Sequence, residues 1–219
     1  MKGYTYRVGS RRLRATPRLG NKQSVKRLKR HWAPYKHREL ILYLIGLALV
    51  LMCIIPIPLY YWQRGQALHN FGIQAVQGMP NLTRVEETED RGHSVLGPNT
   101  AYDYNDPFPT AGPHDRDWID AGFYDSPRAP TLLVHALARG MVVIYYDQPA
   151  RPVLAALKEW ASLFRGDGDG IIVVLHPGLG SEVVLTAWNR RLRLPQFDSR
   201  AAAAFIEQFR GHGPETPAR

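Results

Sequence analysis

Cysteine is almost absent from this 219-residue chain, in which Cys53 is the only one. No disulfide can form within the chain, and no Cys-x-x-Cys pair is present to support thiol–disulfide chemistry or covalent haem attachment. A folded domain of about 130 residues can bury enough apolar surface to be stable without disulfides. The cysteine content is therefore compatible with export to an oxidising compartment, but it does not argue for export by itself.

The sequence also lacks the short motifs that mark common enzyme classes. PGLGS (Pro177–Ser181) contains neither the Gly-Lys-Ser/Thr element of a phosphate-binding loop nor the Gly-x-Ser-x-Gly of a nucleophile elbow. GDGDG (Gly166–Gly170) lacks the third ligand pair and the distal glutamate of a calcium EF-hand. We interpret both segments as turns and, because no nucleophile–base pair is apparent, we predict that the protein is not an enzyme.

Charge is missing from the 22 residues Leu40–Tyr61. A helix of this length spans roughly 33 Å, which matches the hydrocarbon core of a bilayer at about 30 Å. The segment shows no polar stripe of the kind that a buried soluble helix carries, and Tyr60–Trp62 are typical of an interfacial aromatic belt. We predict a transmembrane helix over residues 39–63 that acts as an uncleaved signal anchor, because the basic and apolar regions are too long for a signal peptide.

Acidic residues are nearly absent before this span. Residues 1–39 contain 13 Lys/Arg and a single acid, Glu39, whereas residues 40–219 contain 15 Lys/Arg and 18 Asp/Glu. The positive-inside rule predicts a single-pass protein of the bacterial inner membrane, with a cytoplasmic N-terminus and an extracytoplasmic (periplasmic) C-terminal domain. We expect the basic tail, residues 1–38, to contact anionic lipid headgroups or an acidic partner, and we expect no nucleic acid partner.

The remaining pattern predicts an α+β domain over residues 81–213, after a stalk or connector at 64–80 and before a short tail at 214–219. Residues 81–130 are rich in Pro, Gly, Asp and Asn and predict irregular structure, although their aromatic residues predict that it is ordered. Residues 131–213 predict the order β-β-α-β-β-α, a largely antiparallel sheet with two helices on one face. The predicted elements are strands at 131–138, 141–146, 171–175 and 182–188, and helices at 152–164 and 198–210.

Histidine is the residue type most suggestive of chemistry in this domain, because imidazole commonly binds copper and zinc. The domain contains His93, His114, His135 and His176, and their spacing matches no standard metal signature. Ordinary hydrogen bonding in packed loops is the alternative. The acidic residues next to His114 are possible carboxylate ligands, or simply a solvated acidic loop; they are Asp115, Asp117 and Asp120.

Three segments carry a resemblance to a known family: PFPTAGPH (Pro107–His114), GFYD (Gly122–Asp125) and LVHALARGMVVIYYD (Leu133–Asp147). Together they resemble a bacterial family catalogued as domain of unknown function 3105, and the similarity extends over roughly residues 90–213, with Gly213–Glu215 as its terminal Gly-Pro-Glu. The family pattern combines a membrane anchor with Pro-Pro-Thr-Ser-Gly-Pro-His, Gly-x-Tyr and Leu-Val-His-x-Leu-Glu-His-Gly.

Carried over by position, this resemblance implies that His93, His114 and His135 match the family's histidines. The Glu-His pair before the glycine is replaced by Ala138 and Arg139. Arginine is always charged and is not an ordinary metal ligand, so this departure argues against a metal site in this chain.

These observations leave two functional hypotheses. The preferred one is a non-catalytic accessory subunit of a larger membrane complex, with integral membrane protein partners and no cofactor. The alternative is an extracytoplasmic protein that binds or delivers copper, or binds zinc, through His93, His114 and His135.

Overall fold

The computed structural model describes the backbone of residues 22–97 and 100–215, and the side chains of the same ranges from residue 37 onward. The sequence-based prediction for the basic tail therefore lies largely outside the described residues. The same holds for the last four residues of the predicted C-terminal tail. Within the described part, the chain forms two compact units, Met1–Leu59 and Tyr60–Arg219.

The described residues of the first unit are helical. Helix α1 spans Lys22–Ile54, and helix α2 begins at Pro56 and continues to Gly78 in the second unit. Pro56 explains the break, because proline has no backbone N–H to continue the ladder of hydrogen bonds. Every large apolar side chain from Leu40 to Leu59 is exposed. The region His37–Arg84 contains an 18-residue window with a mean hydropathy of 2.9, making it the one helix among the described residues that is long and apolar enough to cross a membrane.

The second unit is built on a six-stranded sheet with the order β1-β6-β5-β3-β4-β2. The strands β1, β6, β5 and β3 pair antiparallel, whereas β3, β4 and β2 pair parallel. The strands are β1 (Glu86–Glu87), β2 (Gly122–Tyr124), β3 (Val142–Tyr146), β4 (Ile171–Leu175), β5 (Val183–Ala187) and β6 (Arg190–Leu194). The remaining helices are a short 3-10 helix (Met79–Arg84), α3 (Pro130–Ala138), α4 (Arg151–Leu163) and α5 (Ser199–Phe209).

Side chains that alternate along β3 divide the core between the two faces of the sheet. Val142 and Ile144 pack with α4, α5 and the buried Phe71 of α2. Val143 and Tyr145 pack on the opposite face, against α3 and Phe108 of the irregular segment. The two helices predicted from the sequence, α4 and α5, pack on one face of the sheet as expected, and α3, which was not predicted as a helix, covers the opposite face.

The fold class is confirmed as α+β with a largely antiparallel sheet. The predicted elements at 141–146, 152–164, 171–175, 182–188 and 198–210 correspond to β3, α4, β4, β5 and α5. Asp198 caps α5, because its side chain accepts hydrogen bonds from the backbone N–H groups of Arg200 and Ala201.

The predicted strand at Thr131–Ala138 is wrong, because these residues form helix α3. Residues 133–138 are all buried, so the helix has no exposed polar stripe, and His135 is the one polar residue of an otherwise apolar run. Such a run does not distinguish a strand from a buried helix. Pro130 in the first turn favours the helix, since its fixed φ suits that position.

The element order β-β-α-β-β-α is wrong for the same reason and because β6 was missed. Strand β6 reads RRLRL, and its leucines, Leu192 and Leu194, are fully buried. Arg191 forms ion pairs with Glu86 at 2.9 Å and with Asp106 at 2.8 Å. The arginine charge that made this segment look unlike a strand is therefore neutralised by acidic residues that pack against it. From Thr131 onward the order is helix, strand, helix, three strands, helix.

Candidate metal centre

His93 and His114 lie on two extended segments that hydrogen-bond to each other. The N–H of Gly112 donates to Gly92 O at 2.9 Å, and the N–H of His114 donates to Ser94 O at 2.9 Å. The segment before His114 is held in turn by the buried Tyr104, whose hydroxyl donates to Pro113 O. These contacts place the His114 side chain in the interior, where it is fully buried, while His93 stays half exposed.

His135 reaches the same place from helix α3. Its imidazole is almost entirely buried and stacks on that of His114, with ring centroids 4.5 Å apart and an interplanar angle of 20°. Because the run Thr131–Ala138 is helical, His135 projects from the buried helix toward the loop that carries His114. A strand in this position would have had a different direction of side chains, so the helix is what brings the two rings together.

The orientation of both buried imidazoles is set by backbone carbonyl groups. Nδ1 of His114 lies 2.8 Å from Asp115 O, and Nδ1 of His135 lies 2.9 Å from Asp117 O. A carbonyl oxygen only accepts hydrogen bonds, so each Nδ1 must carry a proton and donate it. In the neutral ring Nε2 then presents a lone pair, which is the arrangement found in most metal-binding histidines.

The carboxylate of Glu215 lies where these lone pairs point. Its Oε1 is 3.3 Å from His114 Nε2 and 3.8 Å from His93 Nδ1, and its Oε2 is 3.4 Å from His135 Nε2. His114 Nε2 has no hydrogen-bond partner among the described residues although it is buried. Two lone-pair-bearing atoms facing a carboxylate repel it unless a proton or a cation lies between them.

The terminal segment that carries Glu215 is hydrogen-bonded to the chain at the C-terminal end of α3. The N–H of Gly211 donates to Gly140 O at 2.7 Å, and the N–H of Glu215 donates to Ala138 O at 2.9 Å. Between them, Gly213 packs so closely that a Cβ would overlap Ala138 O. The segment thus satisfies a carbonyl at the C-terminal end of the helix and fixes the position of the carboxylate.

The donor spacing suits a small transition-metal ion. Two ligands each about 2.1 Å from a tetrahedral zinc ion lie about 3.4 Å apart. The separations of 3.3 and 3.4 Å between Glu215 and the buried imidazoles match this value. The ligand atoms of His93, His114 and Glu215 all lie within 4.8 Å of one another, whereas His135 reaches the cluster through the second carboxylate oxygen, Glu215 Oε2.

Aromatic side chains enclose the cluster on two sides. The ring of Trp188 lies 6.2 Å from that of His93, and the ring of Trp118 lies 6.1 Å from that of His135. Arg139, which occupies a position of the family's Glu-His pair, stacks on Trp118 at 4.5 Å and pairs with Asp167. Its charge is therefore engaged by other groups.

The structure brings together the three histidines that the sequence analysis selected. His176 lies elsewhere, at the end of β4 against Phe108 and Tyr145. The carboxylates of Asp115 and Asp117 are not part of the cluster; their backbone carbonyls orient the histidines instead.

Glu215 was missed because the sequence analysis assigned it to a terminal tail. The sequence did contain a feature that could have identified Glu215 as a candidate ligand. Glu215 is the last residue of the Gly-Pro-Glu segment that forms part of the family resemblance.

Comparison with known proteins gives one family match. The family described as "Protein of unknown function (DUF3105)" matches residues 96–219, more than half of the chain, and this range includes His114, His135 and Glu215. No curated protein and no solved structure matches the chain.

Proposed function

The chain belongs to the DUF3105 family, and from that premise we propose that it is a membrane-anchored, non-catalytic protein whose C-terminal domain binds one divalent transition-metal ion. The proposed ligands are His93, His114 and Glu215, whose ligand atoms lie within 4.8 Å of one another, with His135 as the fourth. The observation that carries the proposal is the convergence of two imidazole Nε2 atoms on one carboxylate, at 3.3 and 3.4 Å, with both Nδ1 atoms already committed to carbonyl groups.

The donor set indicates which ions fit. Imidazole and carboxylate ligands suit Zn²⁺ and Cu²⁺, whereas Cu⁺ prefers thiolate and thioether sulfur. Cys53 lies in the apolar helix and none of the proposed ligands contains sulfur. We therefore propose Zn²⁺ or Cu²⁺ as the bound ion.

The anchor and its charge pattern support a proposed location. We propose that the apolar helix crosses the bacterial inner membrane once, with the basic N-terminus in the cytoplasm against anionic lipid and the metal site in the periplasm. The site would then meet metal ions outside the cytoplasm.

Metal titration of the detergent-solubilised full chain tests the proposal. After removal of metal with a chelator, we expect one Zn²⁺ or Cu²⁺ per chain by calorimetry and elemental analysis. His114→Ala and Glu215→Gln each remove a ligand, and should weaken binding by more than the 10–100-fold that is typical of losing an outer-shell partner. His69→Ala is the matched control, because His69 is an exposed histidine of α2 outside the cluster.

The proposal fails if the full chain binds far less than one ion. It also fails if binding is the same in His114→Ala and Glu215→Gln as in the unaltered chain. Circular dichroism and melting temperature in the presence of chelator separate lost ligands from lost folding.

A role as an accessory subunit of a larger membrane complex remains a second proposal. Its support is the apolar helix, the one of membrane-spanning length in the described part of the chain, whose large apolar side chains from Leu40 to Leu59 are exposed, together with the long basic stretch before it. Purification through a tag from gently solubilised native membranes should recover integral membrane partners in stoichiometric amounts. Recovery of the chain alone would argue against this role and leave the metal proposal untouched.

A further inference from the structure

An open groove of about 460 Å³ lies beside the metal centre. Trp188 forms one wall of the groove, and the ring of Trp188 is the same one that packs on His93. Gly213 and Pro214, which lead directly into Glu215, form another part of the lining. The groove is thus connected to the cluster through Trp188, which contacts His93, and through the two residues that precede Glu215.

His212 lines this groove and is oriented as the buried histidines are. Its Nδ1 lies 3.1 Å from Arg210 O, so Nδ1 donates and Nε2 keeps its lone pair in the neutral ring. His212 is exposed, and no described residue is paired with its Nε2. The groove thus contains a fixed and accessible imidazole three residues from a proposed metal ligand.

The one cationic side chain that lines the described groove is already paired. Arg190 lies there, and its guanidinium forms an ion pair of 2.9 Å with Glu87 on the neighbouring strand. This pairing reduces the repulsion that a bare guanidinium would exert on an approaching metal ion.

We propose that His212 is the capture ligand of the metal centre: it binds an incoming divalent ion in the groove and passes it to His93 and Glu215. The inference rests on the proposed function, since it assigns the route by which that site is filled. An ion that moves directly into a buried site must lose its water before protein ligands replace it, which is costly. A ligand at the mouth allows the waters to be replaced one at a time, and so lowers the barrier without altering the final site.

This role has a kinetic signature. A group that touches the ion only on its way in stabilises the transition state for both binding and release. His212→Ala should therefore slow association and dissociation by the same factor and leave the dissociation constant unchanged. We expect a factor of about ten, which corresponds to about 1.4 kcal/mol of lost transition-state stabilisation.

Stopped-flow mixing of the full chain in detergent with Zn²⁺, followed by transfer to a fluorescent chelator, measures both rates. His212→Asp retains a metal-binding side chain and should restore much of the rate, whereas His69→Ala should leave both rates unchanged. Equal rates in His212→Ala and the unaltered chain would overturn the capture role alone. A weakened dissociation constant in His212→Ala would also overturn it, because His212 would then belong to the final site. Failure of the unaltered chain to bind Zn²⁺ or Cu²⁺ would overturn the proposed function and this inference together.

Discussion

The histidine cluster owes its chemistry to backbone groups as much as to side chains. The carbonyls of Asp115 and Asp117 hold His114 and His135 in a single tautomer, and Glu215 then faces the two remaining lone pairs. Substituting either aspartate by another residue would leave the carbonyl in place. We therefore expect the side chains of Asp115 and Asp117 to matter far less for metal binding than those of the three histidines.

Gly213 is the residue that positions Glu215. In Gly213→Ala the new Cβ overlaps the carbonyl of Ala138, so the terminal segment must move away from α3 and carry the carboxylate with it. We expect metal affinity to fall by about 10–100-fold, as for the loss of an orienting partner. Gly122→Ala is the control, because a Cβ on Gly122 meets nothing within 4 Å.

Calorimetric titration with Zn²⁺ measures the effect of Gly213→Ala, and the melting temperature in chelator reports stability separately. Unchanged affinity in Gly213→Ala would contradict the proposal that Gly213 positions Glu215 for metal binding.

Glu182 and Arg193 form a bidentate ion pair. Arg193 Nε donates to Glu182 Oε1 and Arg193 Nη2 donates to Glu182 Oε2, each at 2.9 Å. The hydrogen bond from Arg193 lowers the pKa of Glu182 below its ordinary value of 4.5 and outweighs partial burial, which raises it. Because the folded state favours the charged carboxylate, the pair stabilises the fold at pH values above the ordinary carboxyl pKa. That contribution is lost as the pH falls through the lowered pKa of the folded state.

Glu182→Gln is therefore expected to reduce the free energy of unfolding by about 0.2–1 kcal/mol at pH 7, the range for an exposed pair. The difference from the unaltered protein should shrink as the pH falls below 4.5. Urea denaturation followed by tryptophan fluorescence, in a double-mutant cycle with Arg193→Met, checks this. A coupling energy that stays constant down to pH 3 would contradict the assignment.

Helix α3 is the element on which the site depends. It contributes His135, and the carbonyl of its last residue, Ala138, accepts a hydrogen bond from the N–H of Glu215. The sequence analysis identified the residues of α3 as important but assigned them to a strand. Residues 133–138 of this helix are buried on every side. Local periodicity does not distinguish a helix buried in this way from a buried strand.

Helix α2 offers a matched pair of glycine substitutions. A Cβ on Gly72 meets nothing within 4 Å, whereas a Cβ on Gly78 would overlap the backbone carbonyl of Arg200 at the start of α5. Gly72→Ala should raise the free energy of unfolding by about 0.5–1 kcal/mol through helix propensity. Gly78→Ala should lower it by about 1–3 kcal/mol, the usual cost of overpacking.

Thermal and urea unfolding of both variants in detergent measures these changes. A stabilised Gly78→Ala variant would show that the close approach of α2 to α5 is absent in solution.

The distribution of charge along the whole chain predicts its orientation in the membrane. Basic residues within about 15–20 residues of a span decide orientation, and more distant ones contribute little. Replacing the four of these that lie nearest to the span by glutamine should produce a population of inverted chains; they are Lys29, Arg30, Lys36 and Arg38. Replacing four distant basic residues by glutamine should leave the orientation unchanged; they are Arg7, Arg11, Arg12 and Arg14.

A C-terminal alkaline phosphatase or green fluorescent protein fusion distinguishes the two orientations. We expect phosphatase activity and no fluorescence for the unaltered chain. A fluorescent, phosphatase-inactive fusion would reverse the proposed orientation and place the histidine cluster in the cytoplasm.

Local sequence by itself determined the features that depend only on neighbouring residues. The uncharged segment Leu40–Tyr61 defines the apolar helix, and the runs at Val142–Tyr146 and Ile171–Leu175 define strands, because each pattern is complete within one element. The capping aspartate and apolar face of α5 were predictable for the same reason.

Tertiary structure decided the features that join distant parts of the chain. Strand β6 was not predicted because its arginines find acidic partners only in the folded sheet. The run that forms α3 is buried between the sheet and the irregular segment, and its sequence pattern alone did not decide between strand and helix. Glu215 joins the histidines only because the last segment hydrogen-bonds to the end of α3. Such contacts arise when burial selects one packing of many elements, and for this reason the full set of proposed ligands emerged only from the folded domain.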